Sequence, residues 1–218
     1  MSVSFIDLSH TIVDGLITYK GFPAPVICDW MSREASKQRY AEGTSFQIGK
    51  IEMIANTGTY IDSPFHRFPD GKDISELDLT SLVDLDAVVV RADRADRIEH
   101  VDVRGKAVLV HTGWAKHWAT DQYFEGHPFL TEAAAVSLKA RGAALVGIDS
   151  LNIDDTSTGA RPVHTTLLGA GIPIVEHLCN LDQLPESGFT FTAVPVKVKG
   201  MGTFPVRAFA TVHRPSRG

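Results

Sequence analysis

Apolar and polar positions alternate over residues 3–8, the period of a half-buried strand, and the polar triplet Ser9-His10-Thr11 ends the pattern. Gly15, Gly21, Pro23 and Pro25 predict a loop after it. The polar residues 32–43 predict a short surface helix or a flap, and the apolar residues 46–54 predict a strand. Residues 73–82 read as loop or short helix. Continuous apolar runs at 87–90, 107–110 and 144–148 have the character of strands covered on both faces. Before the last of these, Thr131 is a good N-cap, Glu132 lies in the first turn and Gly142 marks the stop, so a helix is expected up to Arg141. Residues 162–171 predict a turn and a short helix, and 172–175 another strand. Alternation over 190–198 and 206–212 predicts closing antiparallel strands, with Pro195 marking an edge or a bulge.

Strand–helix–strand alternation in the middle, with hairpin-like strands at both ends, predicts a mixed α/β fold, and the length suits one domain over residues 1–218. Polar groups recur just past the predicted strands: Asp62 and His66, His111, Asp149, Glu176. Open α/β sheets collect their ligands at strand C-terminal ends, so these groups are expected to share a site.

The densest cluster is residues 56–66. There Asp62 and His66 are four apart, and His164 and Glu176 lie twelve apart further on. Two carboxylates and two imidazoles suit a divalent ion such as zinc or manganese, and a histidine beside the bound water would serve as general base. On spacing alone this signal is weak, and the plain alternatives are a loop histidine for His66 and a surface carboxylate for Glu176. Ser63 and Ser150 lie near acidic groups, but neither is framed by a Gly-Xaa-Ser-Xaa-Gly elbow. Phe22, Trp30, Trp114 and Trp118 are candidates for an aromatic pocket wall.

A net charge of −5 without a basic stripe argues against nucleic acid as a partner. Arg91, Arg94, Arg97 and Arg104 alternate with Asp93, Asp96, Glu99 and Asp102, the pattern of a solvated mixed-charge surface. Cys28 and Cys179 fit no metal or redox spacing, no signal segment opens the chain, and no apolar run approaches the roughly 18–20 residues of a membrane span. A cytoplasmic protein with a small-molecule partner is the expectation.

Several blocks taken together resemble a family. They are Asp7-Leu8-Ser9-His10-Thr11-Ile12, the stretch from Gly58 through Thr59, Asp62, Pro64 and His66, Thr112-Gly113-Trp114, Gly147-Ile148-Asp149-Ser150, Pro162-Val163-His164 and Ile174-Val175-Glu176. In this order they are similar to the cyclase-like metal-dependent hydrolases that include bacterial kynurenine formamidase and isatin hydrolase. The resemblance implies a swivelling β/β/α-type fold, a homodimer or higher homo-oligomer, and hydrolysis of a small amide, formamide or cyclic amide or ester. It also implies roles: His66 as general base, with Asp62, His164 and Glu176 as its catalytic companions.

The family signature reads His-Xaa-Gly-Thr-His-Xaa-Asp, and here Asn56 and Tyr60 stand at the two histidine positions. Two expectations follow. In one, a single zinc or manganese ion is held by Asp62, His164 and Glu176. In the other, no ion binds, and Asn56 and Tyr60 donate to a substrate oxygen, with Trp30 and Trp114 completing the substrate pocket. The same ligand losses also suit a non-hydrolytic binding protein, and an isomerase or dehydratase, which needs only an acid/base pair and no hydrolytic water, is a third alternative.

Overall fold

A computed structural model of the chain describes residues 2–91, 99 and 101–214. Most of the mixed-charge run, including Arg94 and Arg97, lies outside the described residues. Among the described residues nine strands form one mixed sheet. Its order is β1 (Ser2–Asp7), β11 (Phe209–Arg214), β9 (Phe189–Thr192), β5 (Leu85–Arg91), β6 (Ala107–His111), β7 (Leu145–Ile148), β8 (Ile174–Glu176), β4 (Tyr60–Asp62) and β10 (Thr203–Pro205). Strands β5 to β8 are parallel, and the pairings outside them are antiparallel.

The apolar runs form the parallel centre because both of their faces are covered. Alternate β5 residues face opposite ways: Ala87 and Val89 join one core cluster, Val88 and Val90 the other. The second cluster also holds Ala135 and Leu138 of α2 (Glu132–Ala140) and Val163, Leu167 and Leu168 of α3 (Pro162–Leu168). Helix α2 starts as expected, with Thr131 Oγ1 accepting from the Ala134 amide at 3.2 Å.

One expectation is corrected, one is narrowed, and one strand was unforeseen. The alternating run 190–198 does not stay a strand: β9 ends at Thr192, and Pro195, which lacks an N–H, keeps only an isolated bridge to Val206. The polar segment 32–43 is helical only over α1 (Arg33–Lys37), where Ser32 Oγ caps Ala35 at 3.1 Å. Residues past the early loop form an unforeseen strand, β2 (Val26–Met31). It pairs with β3 (Ile48–Glu52) in a two-stranded ribbon separate from the main sheet. Its pattern hid it, because five of its six residues are exposed and no buried face imposes a period. Among the described residues no helix is long and apolar enough to cross a membrane.

Candidate active site

Strand β4 lies between β8 and β10, and its register places the polar side chains. Tyr60 is paired with Glu176 of β8, and Asp62 with Thr203 of β10. Strand alternation sends Tyr60 and Asp62 to one face while Ile61 enters the core on the other. The chain then turns through a 3-10 segment, Pro64–His66, with Pro64 at its start, and this turn carries His66. Gly202 is required beside it: a Cβ there would lie 2.5 Å from the His66 backbone N and Cα.

From the other side comes α3. Asp154, fully buried, accepts from the Val163 and His164 amides at 2.8 and 3.0 Å, standing in for a helix cap. Its Oδ2 also holds His164 Nδ1 at 2.6 Å. His164 Nε2 therefore faces inward, 3.7 Å from Asp62 Oδ2 and 3.8 Å from Glu176 Oε1. Burial works against a charge on His164. The Asp154 hydrogen bond and the Asp62 and Glu176 carboxylates outweigh it and carry its pKa to about 10. Burial, and then the charge of Asp62, raise Glu176 to about 7. Each Glu176 oxygen has a partner, Oε2 from the Tyr60 hydroxyl at 2.6 Å and Oε1 from the Ile153 amide at 2.6 Å.

Asp62 is held on one side only. Its Oδ1 accepts from Thr203 Oγ1, while its Oδ2 is buried without a hydrogen-bond partner. Thr203 also contacts His66 Nδ1 at 2.9 Å. A hydroxyl has one proton, and an ionised carboxylate only accepts. Thr203 therefore donates to Asp62 and accepts from His66 Nδ1–H. That arrangement places the lone pair of a neutral His66 on Nε2.

The fit of this cluster to a cation follows from the same atoms. Ligand atoms of Asp62, His66 and His164 lie within 4.8 Å of one another. The orphaned Asp62 Oδ2 faces His164 Nε2 at 3.7 Å, too far for a hydrogen bond. A tetrahedral ion with bonds near 2.1 Å separates its ligand atoms by about 3.4 Å, a few tenths of an ångström less. These residues fit a divalent ion. The tightest group differs from the expected one, since it takes His66 where Glu176 was anticipated.

A cavity of about 350 Å³ opens on the cluster, lined by Asn56, Tyr60, His66, His164 and Glu176 together with Tyr19, Phe22 and Asn152. The Tyr19 hydroxyl joins Tyr60 at 2.9 Å, Asn152 at 3.0 Å and the Leu151 carbonyl at 2.6 Å. Burial, then the charge of Glu176, hold the Tyr60 phenol well above its usual pKa, so it stays a donor. Its proton is directed at Glu176 rather than at the cavity.

Trp30 and Trp114 do not line this cavity. Trp30 is on the ribbon, 64% exposed, and the Trp114 indole donates to the Tyr123 carbonyl at 3.0 Å. Trp118 stacks on His10 instead, with ring centroids 4.0 Å apart. Ser63 and Ser150 are fully buried and donate to the carbonyls of Gly202 and Pro128, the bonds of structural hydroxyls. Thr203, Asp154 and Tyr19 were missed. Asp154 lies ten residues before His164, a carboxylate-to-imidazole spacing that offered a signal. For Thr203, 141 residues from Asp62, there was none.

The sequence profile of the putative cyclase family matches residues 6–155. The kynurenine formamidase of Geobacillus thermodenitrificans (strain NG80-2) is 32% identical over 174 residues, 77% of this chain and 81% of that protein. A solved structure described as a potential metal-dependent hydrolase with cyclase activity matches with a TM-score of 0.78 and 26% identity, over 98% of this chain and 100% of that one. Isatin hydrolase A from Ralstonia solanacearum shares the fold, with a TM-score of 0.77 and 21% identity over 97% of this chain and 92% of that one. The profile spans more than half of the chain, and the formamidase similarity extends past it: this chain belongs to the putative cyclase family.

Proposed function

We propose that the protein hydrolyses the C–N bond of a small amide, formamide or cyclic amide, in the manner of an arylformamidase, with His66 as general base. The observation that carries this is the Asp62–Thr203–His66 chain. It fixes His66 Nδ1 as the protonated nitrogen and leaves Nε2 free to take a proton, with the side chain 36% exposed at the cavity. The family membership and the formamidase relative support the same chemistry.

Water adds to the carbonyl carbon as its proton moves to His66 Nε2. The C–N bond then breaks as that proton passes to the leaving nitrogen, giving a free amine and a carboxylic acid that loses its remaining proton to bulk water. Asn56 on the cavity wall offers its amide N–H to the carbonyl oxygen. Tyr60 and the Ile153 amide hold Glu176 in place, and Asp154 holds His164. Asp62 and His164, with Glu176 as third ligand, would hold one divalent ion, zinc or manganese, which supplies carbonyl polarisation and an acidified water when bound.

The assembly proposed is a homodimer, supported by the β2–β3 ribbon, whose apolar side chains Val26, Trp30, Ile48 and Ile51 are exposed. The test of the activity is turnover of a formamide and lactam panel by the wild type and His66→Ala. Turnover that drops by about 10²–10⁴-fold in the variant is the expected result. Binding without turnover across the panel sinks the hydrolase reading.

A further inference from the structure

One buried histidine takes no part in the chemistry above, and the fold alone would not choose it. His177 directly follows Glu176, the last residue of β8, and has no exposed surface. Its φ is +56°, in the left-handed region that favours glycine. Among the described residues Asp84, Ala119 and Asn180 share that region, and all three are exposed. The His177 Nε2 is also buried without a hydrogen-bond partner. Glycine would relieve the backbone, and an apolar side chain would remove the orphaned nitrogen. Strain that persists beside a site is the mark of a functional constraint.

The contacts of the side chain define that constraint. Its ring centroid lies 5.1 Å from that of Tyr60 and 5.4 Å from that of Tyr19, with the Tyr19 ring perpendicular to it. Trp118 and Tyr123 complete the surround at 5.5 and 5.7 Å. Two hydrogen bonds pin the residue: Nδ1 meets the Tyr123 hydroxyl at 2.8 Å, and the backbone carbonyl accepts from Thr59 Oγ1 at 2.5 Å. Tyr60 therefore packs against a residue held at both ends. Its own hydroxyl, at the tip of the side chain, donates to Glu176 Oε2 at 2.6 Å. A tilt of the phenol ring displaces that tip most, and a hydrogen bond weakens steeply with angle. His177 is not among the residues that line the cavity, so it acts on the site through Tyr60.

We infer that His177 is a positioning residue. Its ring fixes the Tyr60 hydroxyl on Glu176 and so sets where that carboxylate stands beside His164. The contact is independent of the reaction, and its use in catalysis rests on the amide-hydrolase reading above.

The test is a double-mutant cycle of His177→Asn with Tyr60→Phe. Asparagine accepts the left-handed backbone but has no ring, and phenylalanine keeps the ring but has no hydroxyl. The first readout is urea unfolding. Tyr60→Phe alone raises the unfolding equilibrium constant about 10–100-fold, the range of a charge-assisted hydrogen bond, and in the His177→Asn background it raises it less than about threefold. The second readout is turnover of formanilide. His177→Asn alone lowers kcat about tenfold with KM little changed, and in the Tyr60→Phe background it lowers kcat no further. A variant that only unfolds more readily loses activity equally in both backgrounds. Tyr123→Phe, which frees the His177 ring, repeats both patterns at smaller amplitude and serves if the asparagine variant does not fold. Unfolding effects that multiply overturn the inference, and so do kcat effects that multiply. Coupling in unfolding without turnover of formanilide or the wider panel upholds the positioning of Tyr60 while the hydrolase reading fails.

Discussion

At the β8–β4–β10 end of the sheet, Tyr60, Asp62, Thr203 and Glu176 are polar and at most 3% exposed, whereas Val26, Trp30, Ile48 and Ile51 of the β2–β3 ribbon are apolar and 43–64% exposed. The first region orders its groups within one chain: β4 pairs on both sides, and Thr203, Tyr60 and Asp154 each restrain a neighbouring side chain. The second has no such closure. A lone two-stranded ribbon is marginal in water, and covering its side chains would release about 25 cal/mol per Å² of apolar area. The site geometry is therefore a property of the protomer, and the ribbon is the surface on which the proposed second copy would pack.

The sharpest way to break this contrast is to remove one hydroxyl from the buried end. Thr203→Val leaves His66 Nδ1 without its acceptor and lowers kcat by about 10²-fold with KM little changed, while Thr203→Ser restores most of it. Equal rates for the valine and serine variants would show that the hydroxyl does not orient His66. The ribbon responds differently. Trp30→Ser combined with Ile51→Lys converts the dimer to a monomer in light scattering, and kcat falls by less than about tenfold. A wild type that is monomeric at micromolar concentration removes the second half of the comparison.

The smallest effect concerns pH and lies near the buried end, in His10, whose backbone N–H donates to Thr59 Oγ1 at 3.0 Å. Burial lowers the His10 pKa from 6.5 to about 4, with its Nε2 buried and unpartnered. The folded pKa is the depressed one, so the unfolded chain takes up the proton first as the medium is acidified. The contribution of His10 is complete above pH 6.5 and is lost as pH falls from there toward 4, by on the order of 3 kcal/mol. Urea unfolding at pH 7 and pH 4.5 should show a smaller loss in His10→Phe, which keeps an aromatic ring against Trp118. An equal loss in both proteins would place the acid sensitivity elsewhere.

Much of the sheet was legible because its runs report burial directly. The parallel strands β5, β6 and β7 are continuous apolar segments covered on both faces, and α2 announces its start at Thr131. The four groups Asp62, His66, His164 and Glu176 were also legible: Asp62 and Glu176 each close a strand, His66 and His164 lie in short helices, and the fold brings them together. What was hidden depends on pairing across long separations. Thr203 reaches Asp62 only because β10 lies beside β4, and local spacing carries no trace of that neighbour. The aromatic wall was misplaced for a related reason. A tryptophan reads as pocket or packing alike until its neighbours are known, and Trp114 and Trp30 face elsewhere. Strand β2 escaped because an exposed ribbon has no dry face to impress a period on its sequence.

The central claim is that Asp62 and His164 form one cation site although Asn56 and Tyr60 stand where the signature this stretch resembles has histidines. Metal analysis of protein purified without added ions, for the wild type, Asp62→Asn and Glu176→Gln, tests it directly. The account predicts about one zinc or manganese ion per wild-type chain, lost in Asp62→Asn and weakened in Glu176→Gln. Trace metal in a wild type that still hydrolyses a formamide would contradict it.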